Sequence, residues 1–117
     1  MLRQRTLQRV VKAAGIGLHS GKLIWILLKP SEVDSGVIFK RKDLNPPKVI
    51  SVKSAEVTNT HLASTISEDG VKISTVEHLL AAISGLGIDN VLIELTGDEV
   101  PIMDGSASSF VYLLKSA

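Results

Sequence analysis

Cysteine is absent from the 117 residues. That excludes disulfide staples and thiolate zinc sites, so any metal would have to be held by imidazole and carboxylate groups. Aromatic side chains are scarce, with one Trp, one Tyr and two Phe making 3% of the chain. Little material exists for stacking nucleobases, and the core must be aliphatic. Neither sign of charge dominates: 13 Lys and Arg against 12 Asp and Glu give a formal charge of +1. The basic residues are scattered, which disfavours a nucleic-acid partner. The longest uninterrupted apolar run, Leu23 to Leu28, is far shorter than the ~20 residues of a membrane-spanning helix. The first residues, MLRQRTLQRV, lack the apolar segment of a signal peptide, so no membrane span and a cytoplasmic location are expected. What is present is apolar: 44% hydrophobic residues and a mean hydropathy of +0.27 suit one compact domain over residues 1–117.

The pattern along the chain begins with strands. Leu7, Val10 and Val11 precede Gly15-Ile-Gly-Leu-His-Ser-Gly21, and the β-rich run Leu23–Leu28 follows, which predicts a hairpin. Further strands are expected at Val37–Arg41, before the Asn45-Pro-Pro47 break, at Val49–Val52 and at Asn90–Leu95. Ser64–Ser67 and Val71–Ile73 flank Glu68-Asp69-Gly70 as a small hairpin. A helix is expected from Ser74, because Ser74-Thr-Val-Glu77 has the spacing of a capping box, and Gly85 and Gly87 mark its end. Val76, Leu79, Leu80, Ile83 and Leu86 form its apolar stripe, while His78, Ala81, Ala82 and Gly85 form an opposite side of mostly small residues. Asp104 or Ser106 would cap a last helix with Phe110, Leu113, Leu114 and Ala117 on its apolar face. The absence of a stop signal before Ala117 suggests a cut near a domain boundary. The expected fold is α+β: a two-layer sandwich of one mixed β-sheet with two α-helices on one face, and a missing partner layer over the outer helical surface.

Glu77-His78 is the pair with the clearest chemical potential. In the first turn of a helix, aligned backbone N–H groups favour anions and disfavour an imidazolium. A neutral imidazole suits a zinc ligand, and an adjacent carboxylate can act as general base toward water that zinc activates. The plainer alternative is that Glu77 completes the capping box and His78 is an ordinary surface residue. A site built from His19, His61 and His78 is conceivable, but no short spacing among them supports convergence. His19 alone fits an exposed turn and His61 a solvated loop. Gly15, Gly17 and Gly21 do not form a nucleotide fingerprint, since no helix opens after them.

Six segments in one order carry a resemblance: Gln4–Leu7, Gly15–Gly21, Asp43–Pro47, Ser74–Leu79, Gly85–Asn90 and Pro101-Ile-Met-Asp-Gly-Ser106. They closely resemble the N-terminal half of the bacterial UDP-3-O-acyl-N-acetylglucosamine deacetylase family, LpxC. The resemblance implies a Zn2+-dependent amidohydrolase of lipid A biosynthesis in Gram-negative bacteria, acting on UDP-3-O-(3-hydroxyacyl)-N-acetylglucosamine in the cytoplasm. It also implies two similar domains whose helical layers face each other, with the C-terminal domain of the same protein as partner. Carried over, His78 matches the one zinc ligand of the N-terminal half and Glu77 the general base. The remaining ligands belong to the second half. His19 resembles a residue near the active site, and Thr60, His61, Leu62 and Ala63 match a loop beside the substrate passage. His61 and Ala63 there replace the usual Met and Cys. Trp25 and Leu27 stand where polar strand residues are expected, predicting an additional exposed apolar patch. The fragment alone is expected to be inactive and to bind zinc poorly. A rival expectation is a non-catalytic association module using the same fold.

Overall fold

The computed structural model describes residues 3–60, 63–102 and 108–117. Its elements are β1 (Val11–Ile16), β2 (Leu23–Pro30), β3 (Val37–Arg41), β4 (Lys48–Ser51), β5 (Glu56–Asn59), β6 (Ser64–Glu68), β7 (Val71–Ser74), α1 (Glu77–Gly85), β8 (Val91–Leu95) and α2 (Ser108–Lys115). Alternation along the strands builds the main sheet. Ile24, Ile26 and Leu28 on β2, Val91, Ile93 and Leu95 on β8, Phe39 on β3 and Ile50 on β4 are all buried. A strand puts every second side chain on the same face, so these residues form one apolar surface. The strand order is β1-β2-β8-β3-β4. β3 and β8 run parallel, with Phe39 beside Ile93, and the other neighbours run antiparallel.

The helices close over this surface. Leu79, Ala82 and Ile83 of α1 and Phe110 and Leu114 of α2 join the same hydrophobic cluster as the strands. The architecture is the expected α+β arrangement of a mixed sheet and two helices. A second, three-stranded sheet of order β5-β6-β7 is added to it, with Ile66 and Ile73 buried in the shared core. Strand β5 was not expected. All four of its residues are exposed, so it has no apolar rhythm and is held by backbone pairing to β6.

Two details of α1 depart from the sequence expectation. No capping box forms, because Ser74 ends β7: its N–H donates to the Asp98 carbonyl at 2.9 Å and its carbonyl accepts from the Val100 N–H at 3.0 Å. The N-cap position is Val76, with no side-chain cap. Ala82 faces inward at 1% exposure, whereas Ala81, Ser84 and Gly85 are exposed. The outer side of α1 is therefore narrower than expected. The C-terminus follows the sequence: Gly87 takes φ +68°, and the N–H groups of Gly87 and Ile88 donate to the carbonyls of Ser84 and Ile83 at 3.1 Å each. This pair of bonds is a Schellman closure, which favours glycine at the left-handed position. The expected caps of α2, Asp104 and Ser106, lie outside the described residues.

Candidate active site at the start of the first helix

The chain leaves β7 and enters α1 through an unusual residue. Thr75 has φ +61°, a left-handed conformation that a β-branched side chain adopts at a cost of roughly 1–3 kcal/mol. It is fixed from both sides: Ser74 is paired as described, and the Val76 N–H donates to the Ser64 carbonyl at 3.3 Å. This sharp exit sets Glu77 as the first residue of the helix, facing β6.

Glu77 has a divided carboxylate. Its Oε2 accepts the Ser64 N–H at 2.9 Å. Its Oε1 and Thr75 Oγ1 are both buried and have no hydrogen-bond partner among the described residues. Glu77 thus reaches across to the small sheet and does not turn back to serve its own helix. A buried carboxylate oxygen with no donor is costly, and the position at the start of a helix offsets part of that cost. The result is a carboxylate anchored through one oxygen, with the other held in a buried position.

Ala63 and Thr60 make a tight turn directly before Ser64. The Thr60 N–H donates to the Ala63 carbonyl at 3.0 Å, and the Ala63 N–H donates to Thr60 Oγ1 at 3.2 Å. Ala63 thus directly precedes Ser64, whose N–H donates to Glu77. His61 and Leu62, expected in the same vicinity, lie outside the described residues. His78 is half-buried on the next helix position, adjacent to the exposed outer side of α1.

His19 lies in the turn between β1 and β2, where its backbone N–H bonds a residue that sequence reasoning missed. Glu99 is 2% exposed. Its carboxylate accepts the His19 N–H at 3.1 and 3.2 Å, the Ser20 N–H at 3.2 Å and the Ser20 hydroxyl at 3.2 Å. Gly17 makes room for it, since a Cβ there would lie 1.9 Å from Glu99 Oε1. The Glu99 backbone bridges to Ser74, so one residue ties the His19 turn to the strand that launches α1. The residues that follow it, Val100 and Pro101, are both buried, whereas Asp98 before it is exposed, so the sequence offered no clear signal for its burial. A depression of ≈ 340 Å³ is lined by His19, Ser20, Lys72, Ser74, Asp98 and Glu99. Its described lining includes neither Glu77 nor His78.

The donor set tests the expected zinc. One imidazole, His78, and one free carboxylate oxygen, Glu77 Oε1, fit a single corner of a hydrolytic centre. Among the described residues no group of three or more His, Asp or Glu converges as a metal site, and catalytic zinc needs three protein ligands. The described residues also contain no helix long and apolar enough to cross a membrane.

The family model described as LpxC, UDP-3-O-acyl N-acetylglycosamine deacetylase, matches residues 4–117. The chain belongs to that family. Among curated LpxC relatives, the UDP-3-O-acyl-N-acetylglucosamine deacetylase of Saccharophagus degradans is 54% identical over 117 residues, covering 100% of this chain and 39% of that protein. The protein of the same description from Nitrosococcus oceani is 51% identical, covering 100% and 38%. The one from Chromohalobacter salexigens is 52% identical, covering 100% and 39%. The chain thus spans well under half the length of the LpxC relatives it matches.

Proposed function

We propose that residues 1–117 are the N-terminal domain of a zinc-dependent UDP-3-O-acyl-N-acetylglucosamine deacetylase of lipid A synthesis, working in the cytoplasm. The observation that carries this reading is the divided carboxylate of Glu77, one oxygen anchored on the Ser64 N–H and the other buried and unpartnered. Such a group is oriented to take a proton. Family membership supports the substrate class.

In this reading Glu77 Oε1 removes a proton from the water that attacks the acetamide carbonyl. The C–N bond then breaks as a proton, the equivalent of the one taken from water, is delivered to the leaving nitrogen, releasing acetate and the sugar amine. His78 would hold one position on zinc, and the other ligands would come from a C-terminal domain. When bound, zinc would supply Lewis-acid polarisation of the carbonyl and of water. In this reading Thr60, His61, Leu62 and Ala63 have a role toward the substrate, and His19 has a supporting role. The rival association module gives no use to a buried carboxylate oxygen that the described residues leave without a partner.

The test is made in the two-domain protein. Glu77→Gln should lower kcat by about 10²–10⁴-fold while the zinc content by metal analysis stays intact. His78→Ala should lower zinc content and activity together. The 117-residue chain alone should show no turnover, because its ligand set is incomplete. Zinc-dependent deacetylation by the chain alone, or an active Glu77→Gln protein, would overturn the assignment.

A further inference from the structure

The face of the main sheet turned away from the helices is apolar where a solvated face should be polar. An antiparallel strand with one wet side alternates, yet β2 reads Leu-Ile-Trp-Ile-Leu-Leu. Ile24, Ile26 and Leu28 fill the core, which leaves Leu23, Trp25 and Leu27 on the outer face. Leu23 is 60% exposed and Trp25 40%. The register sets Ile16 beside Leu23 and Ala14 beside Trp25, so the patch continues onto β1, where Ile16 is also exposed.

Cations surround this patch. Lys12 lies opposite Leu27, with its Nζ 4.5 Å from the Trp25 ring centre. Lys29 and Lys40 occupy the same face, Lys40 beside Glu94 by register and Lys29 one pair further along, beside Leu92. Among the described residues of the five strands, Glu94 is the one carboxylate on that face. It is buried and faced by Lys29 at 2.9 Å and Lys42 at 3.5 Å. The face is therefore apolar and net positive.

We propose that this outer sheet face docks reversibly on an anionic phospholipid bilayer, with Trp25 at headgroup depth, Leu23 and Ile16 at the acyl boundary and the lysines on lipid phosphates. Tryptophan suits that depth because one end of the ring system is apolar and the other donates a hydrogen bond. Lysines beside it gain from the negative surface potential. A second copy pairing through the same face would set these lysines against their own equivalents, which like charge disfavours. A nucleic acid would satisfy the cations but leave Leu23 and Ile16 uncovered. The inference stands apart from the deacetylase reading, since it uses none of that site's residues.

Trp25 is the one tryptophan of the chain, so its emission reports on this face directly. Vesicles of phosphatidylethanolamine and phosphatidylglycerol should shift the emission to shorter wavelength and pellet the chain at low salt. Phosphatidylcholine vesicles should do neither. Lys12→Gln and Lys40→Gln should each weaken partitioning by about fivefold, and Leu23→Asn with Leu27→Thr by more than either. Ala81→Glu, on the exposed side of α1, should leave it unchanged. The lysine variants sit at the surface and keep the test valid if the double variant fails to fold. No shift with anionic vesicles overturns the proposal, as does equal binding by the lysine variants. A shift that grows with protein concentration without lipid assigns the face to a second copy, and one produced by RNA assigns it to nucleic acid; either also overturns it.

Discussion

Glu99 carries more structural consequence than its place in a short connection suggests. Its buried carboxylate collects the backbone N–H groups of His19 and Ser20 and the Ser20 hydroxyl. Glu99→Gln keeps an acceptor but sets an NH2 group among donors, so a loss of about 1–3 kcal/mol is expected, read as a lower denaturant midpoint with unchanged slope. Exchange of the His19 and Ser20 amides should accelerate most. The same residue shows why part of the site was illegible in the sequence. An acid between Asp98 and Val100 looks like a solvated loop residue until the hairpin turn folds onto it. Glu77 was ambiguous for a related reason: its spacing from Ser74 fits a capping box, and only the pairing of Ser74 with residues 98–100 turns the carboxylate toward Ser64. Its chemical role was suggested by the resemblance of the surrounding segment, which local physics alone did not supply.

At the scale of elements, legibility followed burial. Strands β2, β3 and β8 were visible because each puts apolar residues into one core, and the β6–β7 hairpin because Asp69 and Gly70 mark its turn, both at positive φ. β5 was invisible because none of its side chains is buried. The inward turn of Ala82 is hard to read in sequence because a small residue fits either a core or an outer position; in the fold it joins the core cluster. The two glycines that end α1 make opposite predictions. Gly87 is left-handed at φ +68°, so Gly87→Ala should destabilise by about 1–2 kcal/mol. Gly85 lies in the helix at a position where an added Cβ meets nothing within 4 Å. Gly85→Ala should therefore stabilise by roughly 0.5–1 kcal/mol. Thermal unfolding of the two variants under one set of conditions should move the midpoint in opposite directions.

For the whole molecule, Glu94 links stability to pH. Burial pushes its carboxyl upward, but hydrogen bonding and the charges of Lys29 and Lys42 outweigh this and leave it below the ordinary carboxylate value. A folded-state value lowered in this way gives stability that is present above the unfolded carboxyl's titration and lost as pH falls through the folded one. Because Lys29 and Lys42 retain much exposure, at 32% and 45%, solvent screening limits the gain to about 1–2 kcal/mol. Glu94→Gln should lower stability near neutrality and flatten its decline between about pH 5 and pH 3, measured by chemical denaturation across that range.

The parallel join of β3 to β8 has a kinetic consequence. These two strands bracket residues 42–90, so the central strand cannot seat until that long excursion has closed on itself, whereas the β1–β2 ribbon needs only its own turn. Ring closure of this kind slows folding and places α1, with Glu77 and His78, inside the part that assembles late. The placement of Glu77 and His78 is therefore a property of the finished topology, reached only after the long loop between β3 and β8 has closed.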